Sequence, residues 1–245
     1  MKLAELTWQE VQNIDLDTVV VIPTGATEQH GAHLPLFTDT YLSTAISEGL
    51  ESKIGSKVLL TPGIWLGASA HHMAFSGTIT ASSCSYNQSL RAIIESLAKH
   101  GFWKFVTING HGGNTPYNKI VLRELKYENP KLLLANMDYW DVISHRLPEI
   151  LDGKYKSPGH ACEFETSLMM YLYPNLVKQD KLRTDGLMPD SQLMGLITDF
   201  EEISEEGSFG ASDFATPEKG RILYQEIIEA LEYQIRIIEQ GVVYA

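Results

Sequence analysis

Apolar residues in this chain fall into two kinds of run. Four runs are short and unbroken: residues 17–23 (DTVVVIP), 57–62 (KVLLTP), 104–109 (KFVTIN) and 131–137 (KLLLANM). Unbroken apolar runs of strand length suit strands covered on both faces. Between them the apolar positions recur at helical spacing. Leu42, Ala45, Ile46 and Leu50 follow i, i+3, i+4, i+8, and Leu90, Ile93, Ile94 and Leu97 follow i, i+3, i+4, i+7. A helix is expected to start near Asn114 and Thr115, with Pro116 suited to its first turn. Another is expected over residues 161–173, stopped by Pro174. The last opens on Thr216, Pro217 and Glu218, and Leu223, Ile227, Leu231, Ile235 and Ile238 form its one stripe. Strands alternating with helices predict an α/β fold with a largely parallel sheet. No repeat, low-complexity tract or shift in composition divides the chain, so residues 1–245 read as a single domain. The stretch 187–212, rich in Gly, Ser and acidic residues, is the least regular and reads as an active-site flap or an interface segment.

Charge and cysteine content narrow the class. The formal net charge of −12 argues against nucleic acid or an anionic membrane surface as the main partner. The two cysteines, Cys84 and Cys162, fit a reducing compartment. The N-terminal MKLAELTWQEVQNI lacks the apolar core of a signal peptide. No apolar run approaches the roughly 20 residues that span a bilayer. A cytoplasmic location is the resulting expectation.

In parallel α/β sheets, ligands bind beyond the carboxyl ends of the strands, and the chemistry-bearing residues of this chain follow strand ends. Glu28 and His30 come after the first strand. They lie two apart, so an extended segment would point both to one side. A metal-ligand pair and a surface loop pair are both open readings. Asp39 falls at the start of the next helix, where it could bridge two ions or cap the helix. His111 sits in NGHGGN after the third strand. It reads as a ligand or as a packed turn residue; a phosphate cradle would normally carry a Lys or a GxGxxG frame. His160 and Glu165 are five apart, with His160 expected just before a helix and Glu165 on its second turn. Leu168, Met169 and Leu172 suggest that Glu165 rather than Glu163 faces inward, leaving Glu163 as a solvated-face residue. Cys162 reads as a buried small hydrophobe rather than a nucleophile. His71 and His72 read equally well as pocket-lining residues and as a surface pair. This nitrogen and oxygen donor set suits hard or borderline divalent ions. Three carboxylates and a hydroxide would balance two such ions, and a water held between them is a nucleophile at neutral pH.

At these residues the chain resembles the creatininase (creatinine amidohydrolase) family. The matching stretches are PTGATEQHGAHLPLFTD at 23–39, HMAFSGT at 72–78, NGHGGN at 109–114, GHACEFETS at 159–167 and the weaker GASDFATPEKG at 210–220. The resemblance implies a three-layer α/β/α sandwich and a two-metal site. It implies one ion held by Glu28, Asp39 and His111, a second by His30, Asp39 and Glu165, and His160 as the catalytic proton carrier. It also implies a homo-oligomer, often a hexamer. Zinc is the first expectation for the ions, with manganese or iron accepted by the same ligands. True creatininases carry Tyr-Glu after the histidine matched by His111, and that Glu belongs to the metal site. Here those positions are Gly112 and Gly113, so Glu165 would supply the carboxylate. They also carry Trp-Asp, enclosing creatinine, where this chain has Lys156 and Ser157. The GHGGN form resembles the wider family, which includes formamide deformylases and a peptidase that trims a peptide-derived redox cofactor. The expected activity is therefore metal-dependent hydrolysis of a small, non-peptide C–N amide. The alternatives are a small-peptide metallopeptidase and a non-catalytic metal- or ligand-binding protein.

Overall fold

The four apolar runs become the four strands of one parallel sheet. The structure is a computed structural model that describes residues 1–186 and 196–240. In chain order the elements begin α1 (Trp8–Gln12), β1 (Val19–Thr24), α2 (Thr38–Ile54), β2 (Val58–Leu60), α3 (Ser83–Lys99) and β3 (Lys104–Asn109). There follow α4 (Thr115–Glu128), β4 (Leu133–Asp138), α5 (Leu147–Ile150) and α6 (Glu163–Leu172). The chain ends with β5 (Thr184–Asp185), α7 (Phe200–Ile203), β6 (Gly210–Ala211) and α8 (Pro217–Glu239). The strand order is β2-β1-β3-β4, with Val20 opposite both Leu59 and Phe105, and Ile108 opposite Met137.

Successive side chains of a strand point to opposite faces, and β1 feeds two cores in this way. Val19 and Val21 pack with Leu42, Ile46, Leu168, Leu223 and Ile227, beneath α2, α6 and α8. Val20 and Ile22 pack with Leu90, Ile94, Phe105, Val121 and Leu125, beneath α3 and α4. The result is the expected three-layer α/β/α sandwich. Strands β1 to β3 are buried throughout; of the two edge strands, β2 is covered by the N-terminus, whose Met1 O accepts from the Leu60 amide at 2.8 Å, whereas β4 is half-buried.

From β1 the chain passes to β2 on one side, then returns to β3 on the other. The switch point therefore lies between the carboxyl ends of β1 and β3, where open sheets form their ligand crevice. Helix α6 starts at Glu163, two residues later than expected. Ala161 holds a left-handed φ of 49°, which no helix can contain, so Glu165 falls in the first turn rather than the second. Helix α8 opens as expected, with the Thr216 side chain accepting from the Lys219 amide at 3.2 Å. Of the irregular 187–212 stretch, residues 187–195 lie outside the described residues; the rest supplies α7 and β6. Among the described residues no helix is long and apolar enough to cross a membrane.

Candidate metal centre

The switch point gathers the residues singled out after each strand. The segment following β1 runs extended and is pinned by the Glu28 amide donating to Leu36 O at 2.9 Å, and it delivers Glu28 and His30 to the crevice. Helix α2 brings Asp39. Its carboxylate caps nothing; Oδ1 meets His30 Nε2 at 2.9 Å and Oδ2 lies 3.2 Å from His111 Nδ1. The turn after β3 brings His111, whose Nδ1 is also 3.2 Å from Glu28 Oε1. Gly113 is needed here, because a Cβ would stand 2.4 Å from both Ala68 O and His111 Nε2. A glutamate of the creatininase type cannot occupy that position. Glu165, from the first turn of α6, supplies a carboxylate instead and accepts from the Ala161 amide at 2.5 Å. His160 is held just before α6 by two main-chain bonds with Phe209.

Ligand-type atoms of Glu28, Asp39 and His111 lie within 4.8 Å of one another, and so do those of His30, His160 and Glu165. The five residues read as ligands, with His160, thus converge on one place. All are buried or nearly so. Both Glu28 oxygens and Asp39 Oδ2 are enclosed and accept no hydrogen bond from any described residue. Buried anionic oxygens without donors are costly, and a cation is the partner that fits them.

Ionisation follows the same logic. Burial works against a charged His30, but the Asp39 carboxylate outweighs it and holds the ring at about 9. His111 behaves alike, with burial overcome by Glu28 and Asp39, so its pKa lies well above the usual value. Burial opposes ionisation of Asp39 too, yet His30 and His111 keep its carboxyl well below the usual range. Glu165 is pushed up to about 7, chiefly by burial. Burial lowers His160 far below an ordinary histidine and takes His72 to about 2. The centre draws positive charge onto His30 and His111 and keeps the outer rings neutral.

Two readings change and one holds. Glu163 is not on a solvated face: it is 3% exposed and accepts from the Asp152 and Gly153 amides at 2.9 and 2.8 Å and from Lys219. Placed at the start of α6, it folds back to fasten the 151–153 loop instead of pointing to water. His72 is buried at 1% exposure, with Nε2 3.2 Å from Glu28 Oε1, so it belongs to the centre and not to a surface pair. The HMAFSGT motif was its only signal in the sequence. Cys162 packs as a hydrophobe, its thiol pushed up to about 12 by burial. Lys156 turns away to donate to Leu151 O. A cavity of about 450 Å³ opens onto the centre, walled by Trp140, Phe164, Thr198, Phe200, Ile203 and Phe209. Phe200, from the stretch read as a flap or interface, stacks on His72 at 4.1 Å between ring centres.

These features define an α/β/α protein with a carboxylate–imidazole centre at the switch point of its sheet. The chain belongs to the creatininase family, whose model, described as creatinine amidohydrolase, matches residues 4–235. Its similarity to the creatinine amidohydrolase of Pseudomonas putida is 28% identity, covering 96% of this chain and 95% of that protein. It is 28% identical to the mycofactocin precursor peptide peptidase of Mycobacterium ulcerans (strain Agy99), over 86% of this chain and 81% of that one. A solved protein of Bacteroides fragilis assigned to the creatinine amidohydrolases superposes with a TM-score of 0.87 at 26% identity, covering 100% of this chain and 98% of the other. Solved creatininases, with TM-scores of 0.80, include a Zn-Zn form at 29% identity, covering 96% of each chain. They also include a Mn form at 28%, covering 96% of this chain and 97% of that one. The family's named relatives are hydrolases, and this chain is a hydrolase of that family.

Proposed function

We propose that the chain is a divalent-metal-dependent amidohydrolase that cleaves a non-peptide C–N amide bond, cyclic or formamide-like, in a small molecule. The observation that carries this is the set of orphaned oxygens on Glu28 and Asp39, facing imidazoles at the floor of the cavity. Glu28, Asp39 and His111 would hold one ion; His30, Asp39 and Glu165 would hold the second. Zinc is the first candidate, with manganese or iron alternatives. When bound, such ions lower the pKa of a water and polarise a carbonyl.

The chain's own groups do the rest. His160 donates from Nε2 to Gln29 O at 2.7 Å, which leaves Nδ1 bare on the inner side, 3.6 Å from Glu28 Oε1. A neutral imidazole so placed takes a proton from the attacking water and returns it to the departing nitrogen. Phe200 and Phe209 exclude bulk water, which strengthens each electrostatic contact inside. Lys156 and Ser157 provide no wall for creatinine. The likeness to a peptide peptidase favours a second reading, a metallopeptidase for short peptides.

The test is elemental analysis of the native protein, then a screen of lactams, formamides and short peptides with those metals restored. Turnover of an amide that is lost on chelation and regained with metal supports the proposal. Turnover of peptides alone moves the assignment to the second reading. Tight metal without any turnover points to a binding protein.

A further inference from the structure

Four imidazoles, three buried and His160 nearly so, surround the Glu28 and Asp39 carboxylates, and their outer nitrogens do not all meet the same kind of group. His30 Nδ1 lies 3.1 Å from Glu28 O, His111 Nε2 lies 3.1 Å from Ala68 O, and His160 Nε2 lies 2.7 Å from Gln29 O. A carbonyl only accepts. Each of these outer nitrogens therefore carries a proton; on neutral His160 the inner nitrogen is a lone pair, and on His30 and His111 it becomes one when a cation displaces the inner proton.

His72 is wired the other way. Its outer nitrogen, Nδ1, sits 2.7 Å from Gln29 Nε2. The Gln29 amide cannot be turned over, because Oε1 accepts from the Gly31 amide at 2.9 Å and Nε2 donates to Gly207 O at 2.8 Å. Gly207 reaches that position only as glycine: its φ is +86° and a Cβ would stand 2.0 Å from Gln29 Oε1. One amide hydrogen goes to Gly207 O and the other to His72 Nδ1. The contact of 3.2 Å between Gln29 Nε2 and His160 Nε2 is left without a hydrogen from the amide, so the shorter carbonyl contact sets the His160 proton. With Nδ1 accepting, the His72 proton is forced onto Nε2, the inner nitrogen. A protonated ring nitrogen cannot bind a cation. Nε2 lies 3.2 Å from Glu28 Oε1, a contact that lacks hydrogen-bond geometry, so the N–H is only weakly held there. His72 lines the cavity, and Phe200 covers one face of its ring.

We propose that His72 is a neutral hydrogen-bond donor built into the site, its tautomer fixed by Gln29, and that its Nε2–H meets the substrate carbonyl oxygen as that oxygen becomes negative. The part that concerns substrate rests on the hydrolase reading above. His72 is then a catalytic residue and Gln29 a positioning residue. The same atoms could be read as a metal triplet of Glu28, His72 and His160; the tautomer argues against it.

Long-range proton–nitrogen NMR on the unaltered protein, with zinc and after its removal, reads the tautomer directly. The expected spectrum shows His72 protonated at Nε2 and bare at Nδ1, and the Gln29→Glu variant moves the proton to Nδ1. His72→Ala should keep the full wild-type metal content while kcat falls about 10²–10³-fold, as for loss of one oxyanion donor, with KM changed less than about threefold. His72→Gln, which restores an N–H, should recover about tenfold of that loss. A His72 proton on Nδ1 in the wild type, metal lost from His72→Ala, or kcat unchanged in that variant each overturns the proposal. If the wild type cleaves no amide, the hydrolase reading fails while the spectrum still decides the tautomer. If the wild type is active and His72→Ala equals it, this inference fails alone. Should His72→Ala not fold, the wild-type spectrum decides.

Discussion

Two buried polar clusters lie back to back at the carboxyl ends of β1, β3 and β4. In one, Thr24 Oγ1 donates to Asn109 Oδ1 at 2.9 Å, and Asn118 Nδ2 donates to Asn136 Oδ1 at 2.9 Å. Asp138 Oδ1 accepts from Asn109 Nδ2, Thr115 Oγ1 and Asn136 Nδ2 at 2.7, 2.9 and 3.1 Å. In the other, Glu28 and Asp39 leave three enclosed oxygens without donors. Asn109 joins the two, since its Nδ2 also reaches His111 O at 2.8 Å. Both clusters are buried and both contain carboxylates. The first is complete with the chain's own atoms and acts as scaffolding. The second is complete only with positive charge added, which is what sets a binding centre apart from a structural network.

The largest effect should come from breaking the incomplete cluster. Glu28→Gln is expected to lower kcat/KM by about 10³-fold, or about 4 kcal/mol of transition-state stabilisation. Its metal content, read by elemental analysis, should fall with it. A variant that keeps both metal and rate would refute the ligand role. Chelation sharpens the contrast. A cation bound only to the folded state stabilises it, so removing metal should lower the wild-type Tm and leave Glu28→Gln almost unmoved.

The complete cluster should respond in the opposite sense. Asp138→Ala strips three donors of their acceptor and is expected to cost about 3 kcal/mol. Urea unfolding should show the same loss with and without chelator. A loss seen only in the metal-bound protein would make Asp138 part of the centre and undo the distinction.

The two clusters were not equally legible in the sequence. The strands were, because β-branched runs with turn residues at their ends leave few other structures. So were Glu28, His30, Asp39 and His111, which follow strand ends, the positions where such sheets place their chemistry. Gln29 and Glu163 were not, and His72 was legible only as one of two open readings. Their roles depend on contacts far along the chain: Gln29 with Gly207, His72 with Gln29, and Glu163 with Lys219. No local period encodes such a pairing. The start of α6 was misread for a similar reason, since the left-handed turn at Ala161 is imposed by the loop that Phe209 and Glu165 hold, not by a glycine.

The smallest effect tests a histidine sealed in the satisfied manner, beside the centre but outside it. His33 is buried, and its Nε2 meets Thr166 Oγ1 at 2.9 Å while that hydroxyl reaches Ala161 O at 3.4 Å. Burial holds its pKa down at about 4, with the charge on His30 adding to the effect. The folded state therefore binds this proton less readily than the unfolded chain, where a histidine titrates near 6.5. The stabilising contribution is complete above about 6.5 and is lost as pH falls through the interval down to about 4. Over that interval the loss approaches, but should not exceed, about 3 kcal/mol. His33→Gln keeps an N–H for Thr166 and removes the titration. Its stability relative to wild type, measured in chelator so that the metal ligands drop out of the difference, should improve steadily from pH 6.5 to 4. A difference that stays flat across that range would mean that His33 accepts a proton in the folded protein, and that the sealed side of the comparison is less closed than its geometry implies.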